Sequence, residues 1–157
     1  LSQESSGITH ILSGFSEDSI ISIERNSDTF ELYTGADDTN TRIYKANTSA
    51  TLTVPLQQTS NSNDILTMLY INDKNTRDSS GLFSITVKDN SGRSTFFAEE
   101  AYIAVVPNSS FGNSMQLREW VIHAVRLENY IGGNSKLSAD DQATLEALGH
   151  TVDPRWV

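Results

Sequence analysis

Apolar and polar residues alternate along this chain in short runs of period two, interrupted once by a stretch of helical period. Residues 19–24 set Ile21 and Ile23 against Ser22 and Glu24, and residues 29–34 set Phe30 and Leu32 against Glu31 and Tyr33. With Asn26, Ser27 and Asp28 between them as turn formers, these runs predict a hairpin. Residues 35–40 (GADDTN) read as a polar turn, and 41–46 with 50–57 as a second extended pair around Asn47, Thr48 and Ser49. Within 50–57, Leu52, Val54 and Leu56 face a core while Thr51, Thr53, Pro55 and Gln57 face elsewhere. A proline inside such a run predicts a strand edge or a bulge, because it has no N–H to donate.

The period changes over residues 60–75, where Ile65, Leu66, Met68, Leu69 and Ile71 fall on one helical stripe behind the cap formers Ser60, Ser62 and Asn63. Asp78-Ser79-Ser80-Gly81 ends that helix. Residues 82–88 return to period two, with Phe83, Ile85 and Val87 on one side and Ser84, Thr86 and Lys88 on the other. Asp89-Asn90-Ser91-Gly92 then predicts an antiparallel hairpin over 82–97. An extended run over 96–106 stops at Pro107, and 115–127 reads as a long strand with Met115, Leu117, Val121, Val125 and Leu127 on its inner side, interrupted by Glu119 and His123. A short helix over 138–148 follows a Ser138 cap, its stripe of Leu137, Leu145 and Leu148 expected to dock on its own domain, and Pro154 and Trp156 close a tail. The fold class is therefore mainly β with one central helix and a short C-terminal helix. Residues 1–134 make one β domain and 135–157 an extension.

Composition supports strands and turns: 21 Ser, 15 Thr and 12 Asn among 157 residues, in a length suited to one core. There is no cysteine, which removes disulfides and thiolate chemistry together. No apolar run approaches the roughly 18 residues that cross a bilayer, and the start lacks the basic and apolar regions of a secretion signal, so no membrane partner is expected. A formal net charge of −9 disfavours any protein that grips nucleic acid through a broad basic surface.

Candidate chemistry is sparse. His10, His123 and His150 sit in no nucleophile, zinc or phosphate motif, and His123 falls mid-strand as a packed or interface residue. Asp37-Asp38 lies in a turn without the spacing of a calcium loop, and adjacent Glu99 and Glu100 on a strand point to opposite faces, which argues against a carboxylate pair. Two glycosylation triplets, at Asn47 and Asn108, arise easily in so Asn- and Ser-rich a chain. No catalytic residue, metal ligand or cofactor is expected, which leaves binding or assembly.

Seven segments carry a resemblance: 21–28 (ISIERNSD), 35–37 (GAD), 58–66 (QTSNSNDIL), 87–92 (VKDNSG), 98–102 (AEEAY), 118–120 (REW) and 131–134 (IGGN). In that order and spacing the chain resembles the tail tube proteins of contractile-tailed bacteriophages, departing from them at Asn61 and in continuing past Asn134, where the family commonly ends. The resemblance implies a β-sandwich subunit forming hexameric rings, a barrel continuous through all subunits, and stacking of rings inside a tail sheath protein. The tape measure protein and DNA would pass through the lumen without specific binding, and the site of action would be the phage tail, assembled in the host cytoplasm. Alternation then nominates Thr51, Thr53, Gln57, Ser84, Thr86 and Lys88 for the lumen, and the polar segment 35–47, with Gly35, Asp37, Asp38, Asn40, Arg42, Lys45 and Asn47, for contact between rings. Three alternatives are a secretion-system tube protein of the same fold, a carbohydrate-binding β-sandwich using Tyr33, Tyr44 and Tyr102 as a platform, and a small hydrolase.

Overall fold

The most regular alternation in the chain becomes the middle of the sheet. Strand β6 (Ala50–Gln57) buries Ala50, Leu52, Val54 and Leu56 completely, each leucine or valine worth about 1.5–3 kcal/mol of burial. Along its whole length it pairs antiparallel with β9 (Leu117–Ala124), from Ala50↔Ala124 to Gln57↔Leu117, and on its other side with β3 (Ser22–Arg25). The computed structural model describes residues 1–3, 7–17 and 20–157, so Ser19, where the first predicted strand begins, lies outside the described residues. The remaining strands are β1 (Ser2–Gln3), β2 (Ile8–Thr9), β4 (Phe30–Thr34), β5 (Asn40–Tyr44), β7 (Phe83–Lys88), β8 (Thr95–Val105) and β10 (Glu128–Tyr130). Sheet order is β2-β1-β7-β8-β9-β6-β3, with β10 also pairing β8, while β4 and β5 form a separate pair. Mainly β architecture with two helices is thus observed, and the sheet is open at β2 and β3, closing no barrel within one chain.

Pairing registers align the core in rows across strands. Ile23, Leu52, Ile122 and Ile103 make one row; Arg25, Ala50, Ala124 and Ala101 make the next. Helix α1 (Ser62–Thr76) adds Leu66 and Leu69, and Ser60 Oγ accepts the Ser62 N–H just ahead of it. Met68 and Ile71, counted into the apolar stripe, are exposed, so the buried side of α1 is narrower than predicted. At the helix start Asn63 Oδ1 accepts the indole N–H of Trp120 at 2.9 Å, while its Nδ2 donates to the carbonyls of Gln57 and Ser60 at 3.0 Å each. The helix ends where Arg77 turns left-handed (φ 54°), and the Asp78 carboxylate, held below the usual range by the Ser80 hydroxyl, shapes the turn that follows.

Four local expectations are corrected. Strand β3 pairs with β6 rather than with β4, and β4 pairs with β5, because Asn26 at the end of β3 bonds across to Ser49, its N–H to the Ser49 carbonyl at 3.1 Å. Strand β9 is inverted in phase: Arg118, Trp120, Ile122 and Ala124 are inside, whereas Leu117 is exposed. Glu119 and His123 were marking the outer face, and Arg118 is a charged residue in the buried set. Third, burial along β8 switches parity between Ala98 and Ala101, which exposes Glu99 and Glu100 together; both line one cleft instead of opposite faces. Bulges produce such a switch, setting successive side chains on one side. Finally, β6 is an interior strand despite Pro55: the Pro55 carbonyl accepts from Ser16 N on the side beyond the end of β3, so the missing N–H also falls on that side and costs β9 no bond.

Contacts gather the chain into two compact units, Leu1–Thr86 with Phe97–Glu128, and Val87–Phe96 with Asn129–Val157. In the second, helix α2 (Ala139–Ala147) opens on a capping box between Ser138 and Asp141 and stops before Gly149, at φ 87°. No α2 residue is fully buried, and Leu148 beyond it is exposed, so the expected docking stripe is only partly covered. The tail is folded: Pro154–Trp156 make a 3-10 turn, the Trp156 carbonyl accepts from Leu137 N at 2.7 Å, and the Arg93 guanidinium lies 5.1 Å from the Trp156 ring centre. Tyr130 stacks on His150 at 4.3 Å, nearly parallel.

Candidate assembly surfaces

Between Arg25 and Ala50, which face each other in the sheet, the chain leaves and returns as a hairpin arm built from β4 and β5. Its base is tied by Asn26, whose Nδ2 donates to Ser49 Oγ at 3.1 Å and whose Oδ1 accepts from Thr51 Oγ1 at 2.8 Å. At the tip, Gly35 N donates to the Thr39 carbonyl at 2.7 Å and Asp38 adopts φ 65°. The Thr39 hydroxyl bonds Asp37 Oδ1 at 2.7 Å and holds that carboxyl below its ordinary pKa, so this acid serves its own turn.

Every residue of β4 and β5 is exposed, including Phe30 (53%), Leu32 (67%) and Tyr33 (60%). Register sorts them into two faces. One carries Phe30, Tyr44, Leu32 and Arg42, with Phe30 and Tyr44 rings 5.8 Å apart and the Arg42 guanidinium 4.8 Å from the Phe30 centre. The other carries Tyr33 and Ile43 beside the Lys45–Glu31 ion pair at 2.7 Å. The first face is mainly apolar, the second mixes apolar and charged side chains, and neither is covered among the described residues. Of the residues nominated for ring contact, Gly35, Asp37 and Asp38 form the tip, Asn40 and Arg42 lie on β5, Lys45 follows it, and Asn47 sits near the base accepting from Ser49 N. Sequence reasoning missed the apolar half of the arm, since Phe30, Leu32 and Ile43 alternate as core residues do. Tyr33 and Tyr44 point to opposite faces, so they make no common carbohydrate platform.

On the sheet, Thr51 and Thr53 belong to rows on the side away from the core. Glu24, Thr51, His123 and Tyr102 lie side by side on four strands, with Tyr102 Oη 3.4 Å from His123 Nδ1. Gln57 spends its amide on the Phe15 carbonyl at 3.0 Å. Ser84 donates to the Ser2 carbonyl, and Thr86 and Lys88 are exposed farther along β7, which β8 and β9 separate from β6. A cleft of about 740 Å³ opens where Leu82, Phe97, Glu99 and Glu100 meet, and a second lobe adds Arg126 and Glu128 to the same phenylalanine and glutamates. His10 Nε2 and Ser62 Oγ approach to 2.9 Å, but Ser62 is fully buried and also accepts from Ser13 N, so this pair latches the N-terminal segment to α1 and offers no nucleophile. No group of three or more metal-ligating side chains occurs among the described residues, and no helix there is long and apolar enough to cross a membrane.

Residues 7–132 match the family model of the bacteriophage PhiTE tail tube protein. The chain belongs to this tail tube family. A curated relative, structural protein ORF10 of Pseudomonas phage KPP10, is 50% identical over 157 residues, covering 100% of this chain and 91% of that protein. Among solved structures, the cryo-EM structure of the anti-feeding prophage cap, a tube-terminating cap, aligns with a TM-score of 0.39 at 10% identity, over 76% of this chain and 85% of that one. The protein is thus a structural subunit of a phage tail tube, located in the tail of the virion. Two of the segments that carry the resemblance, 118–120 (REW) and 58–66 at the helix opening, meet in this tube protein through the Trp120–Asn63 bond. Residues 133–157 lie beyond the matched family region yet within the alignment to the KPP10 protein.

Proposed function

We propose that copies of this subunit join as hexameric rings whose sheets combine into one barrel, and that the rings stack inside a contractile sheath as the channel for genome delivery. The observation that carries this reading is the arm: a hairpin with exposed apolar side chains on both faces, uncovered among the described residues, calls for a partner, and for a tube subunit the partner is another copy. Open, short edge strands β2 and β3 support it, since a barrel closed across copies leaves no edge exposed.

In the assembled tube the 1–134 domain forms the wall. Segment 35–47, with Gly35, Asp37, Asp38, Asn40, Arg42, Lys45 and Asn47, reaches the neighbouring ring. Thr51, Thr53, Gln57, Ser84, Thr86 and Lys88 face the lumen, and the 135–157 extension faces the tail sheath protein. Six copies multiply the chain's −9 sixfold, and an acidic lumen repels phosphate so that DNA and the tape measure protein slide through without sticking. Electron microscopy of the purified protein at high concentration tests the assembly: stacked rings of constant width are expected, and a persistent monomer overturns it. A basic lumen in such a reconstruction overturns the charge role.

A further inference from the structure

We infer that the Phe30–Arg42–Tyr44 face of one copy's arm seats in the Phe97–Glu99–Glu100 cleft of a second copy. This rests on the tube reading above for the identity of the occupant and adds the surface that receives the arm. A flat surface covers one side of a hairpin only; because exposed apolar side chains stand on both faces of the arm, with Phe30, Leu32 and Tyr44 on one and Tyr33 and Ile43 on the other, a recess covers more of them. The cleft supplies one, a mainly polar recess in which Leu82 and Phe97 are the apolar lining beside four serines, with two glutamates on its wall. Charge favours the pairing. Arg42 lies on its own Phe30 ring and makes no ion pair among the described residues, and Glu99 and Glu100 make none either. In a chain with 20 acidic and 11 basic residues, a cation displayed within an apolar face is the scarce partner that exposed carboxylates lack. Arg126, the basic residue of the neighbouring lobe, lines it with Glu128 as well as with the shared glutamates, so carboxylates remain in excess around the cleft.

Arm and cleft are different surfaces of one chain, so the contact is heterologous. A copy whose cleft is filled still presents its own arm, and addition continues from copy to copy until the geometry closes or extends as a filament.

Charge reversal with rescue tests the pairing. Arg42→Glu abolishes sedimentable tubes, Glu99→Arg with Glu100→Arg does the same, and the three substitutions together restore them, with circular dichroism confirming that each variant stays folded, as exposed positions permit. Wild-type yields of tubes from Arg42→Glu overturn the contact, and so does a folded triple variant that fails to recover. Because the chain has no cysteine, Arg42→Cys combined with Glu100→Cys and treated with a short bismaleimide reads the contact even where no tube assembles. A covalent ladder is expected from the double variant and from neither single one. A ladder from a protein that builds no tubes retains the contact and removes the tube reading; monomeric product alongside normal tubes removes the contact alone.

Discussion

Replacing Trp120 by Phe tests whether the bond between β9 and the start of α1 holds the sheet and helix together. The indole is almost wholly buried, and its N–H donates at 2.9 Å to Asn63 Oδ1. Phe fills most of the space but leaves that oxygen, on a half-buried residue, without its donor, at a cost of about 1–3 kcal/mol, and the smaller ring loses packing besides. The expected loss is about 2–3 kcal/mol, or about 4–12 °C in Tm for a chain of this size. Asn63→Ala removes the same bond together with the Nδ2 bonds to Gln57 and Ser60, and is expected to cost a similar amount. The decisive quantity is their coupling. Urea unfolding of both single variants and the double, at dilution where no assembly occurs, is expected to show a non-additive term of about 1 kcal/mol with unchanged m values. Additivity within about 0.3 kcal/mol would refute the claim that these two residues act as one junction.

Two further outcomes are expected. Arg118 is 9% exposed, makes one bond to the Ser110 carbonyl at 3.2 Å, leaves Nη1 without a hydrogen-bond partner among the described residues and meets no carboxylate there. Arg118→Met is therefore expected to leave the free subunit between neutral and about 3 kcal/mol more stable in urea unfolding; a loss above about 1 kcal/mol contradicts this. Asp153, exposed and bonded twice by the Arg155 guanidinium, has its pKa lowered from 3.8 to about 2. Since the folded value is depressed, the pair's contribution is present above pH 3.8 and fades as pH falls toward about 2; carboxyl NMR should find that midpoint, and Arg155→Ala should return it toward 3.8.

Strand existence was legible wherever alternation and turn chemistry agreed. Strand β6, the β7–β8 hairpin through Asp89, and the Ser138-capped α2 all follow from local signals that tertiary contacts do not contest. Pairing was not legible, because a turn former such as Asn26 announces a change of direction without saying which strand comes next; its bonds to Ser49, some 20 residues on, decide that. Phase in β9 failed for a different reason. Arg118 inside and Leu117 outside invert the usual meaning of charge and hydrophobicity, and only the partner rows of β6 reveal it. The same inversion hid the candidate assembly surface: Phe30, Leu32 and Ile43 have the periodicity of a core strand yet are exposed in the single chain, and nothing local distinguishes the two.

The two ends of the arm leave the sheet from directly opposed residues, Arg25 and Ala50, locked by Asn26 and Ser49. Everything between those anchors is invisible to the register of the eight-stranded sheet. Lengthening or shortening such an excursion changes closure entropy only logarithmically, by about 0.6 kcal/mol per doubling. In the assembly proposed above, the reach of a subunit toward its neighbours is then a quantity that insertion or deletion in the arm can vary independently of the sheet, and chimaeras exchanging arms at Asn26 and Ser49 become a way to graft the proposed axial spacing of one tube onto the bore of another.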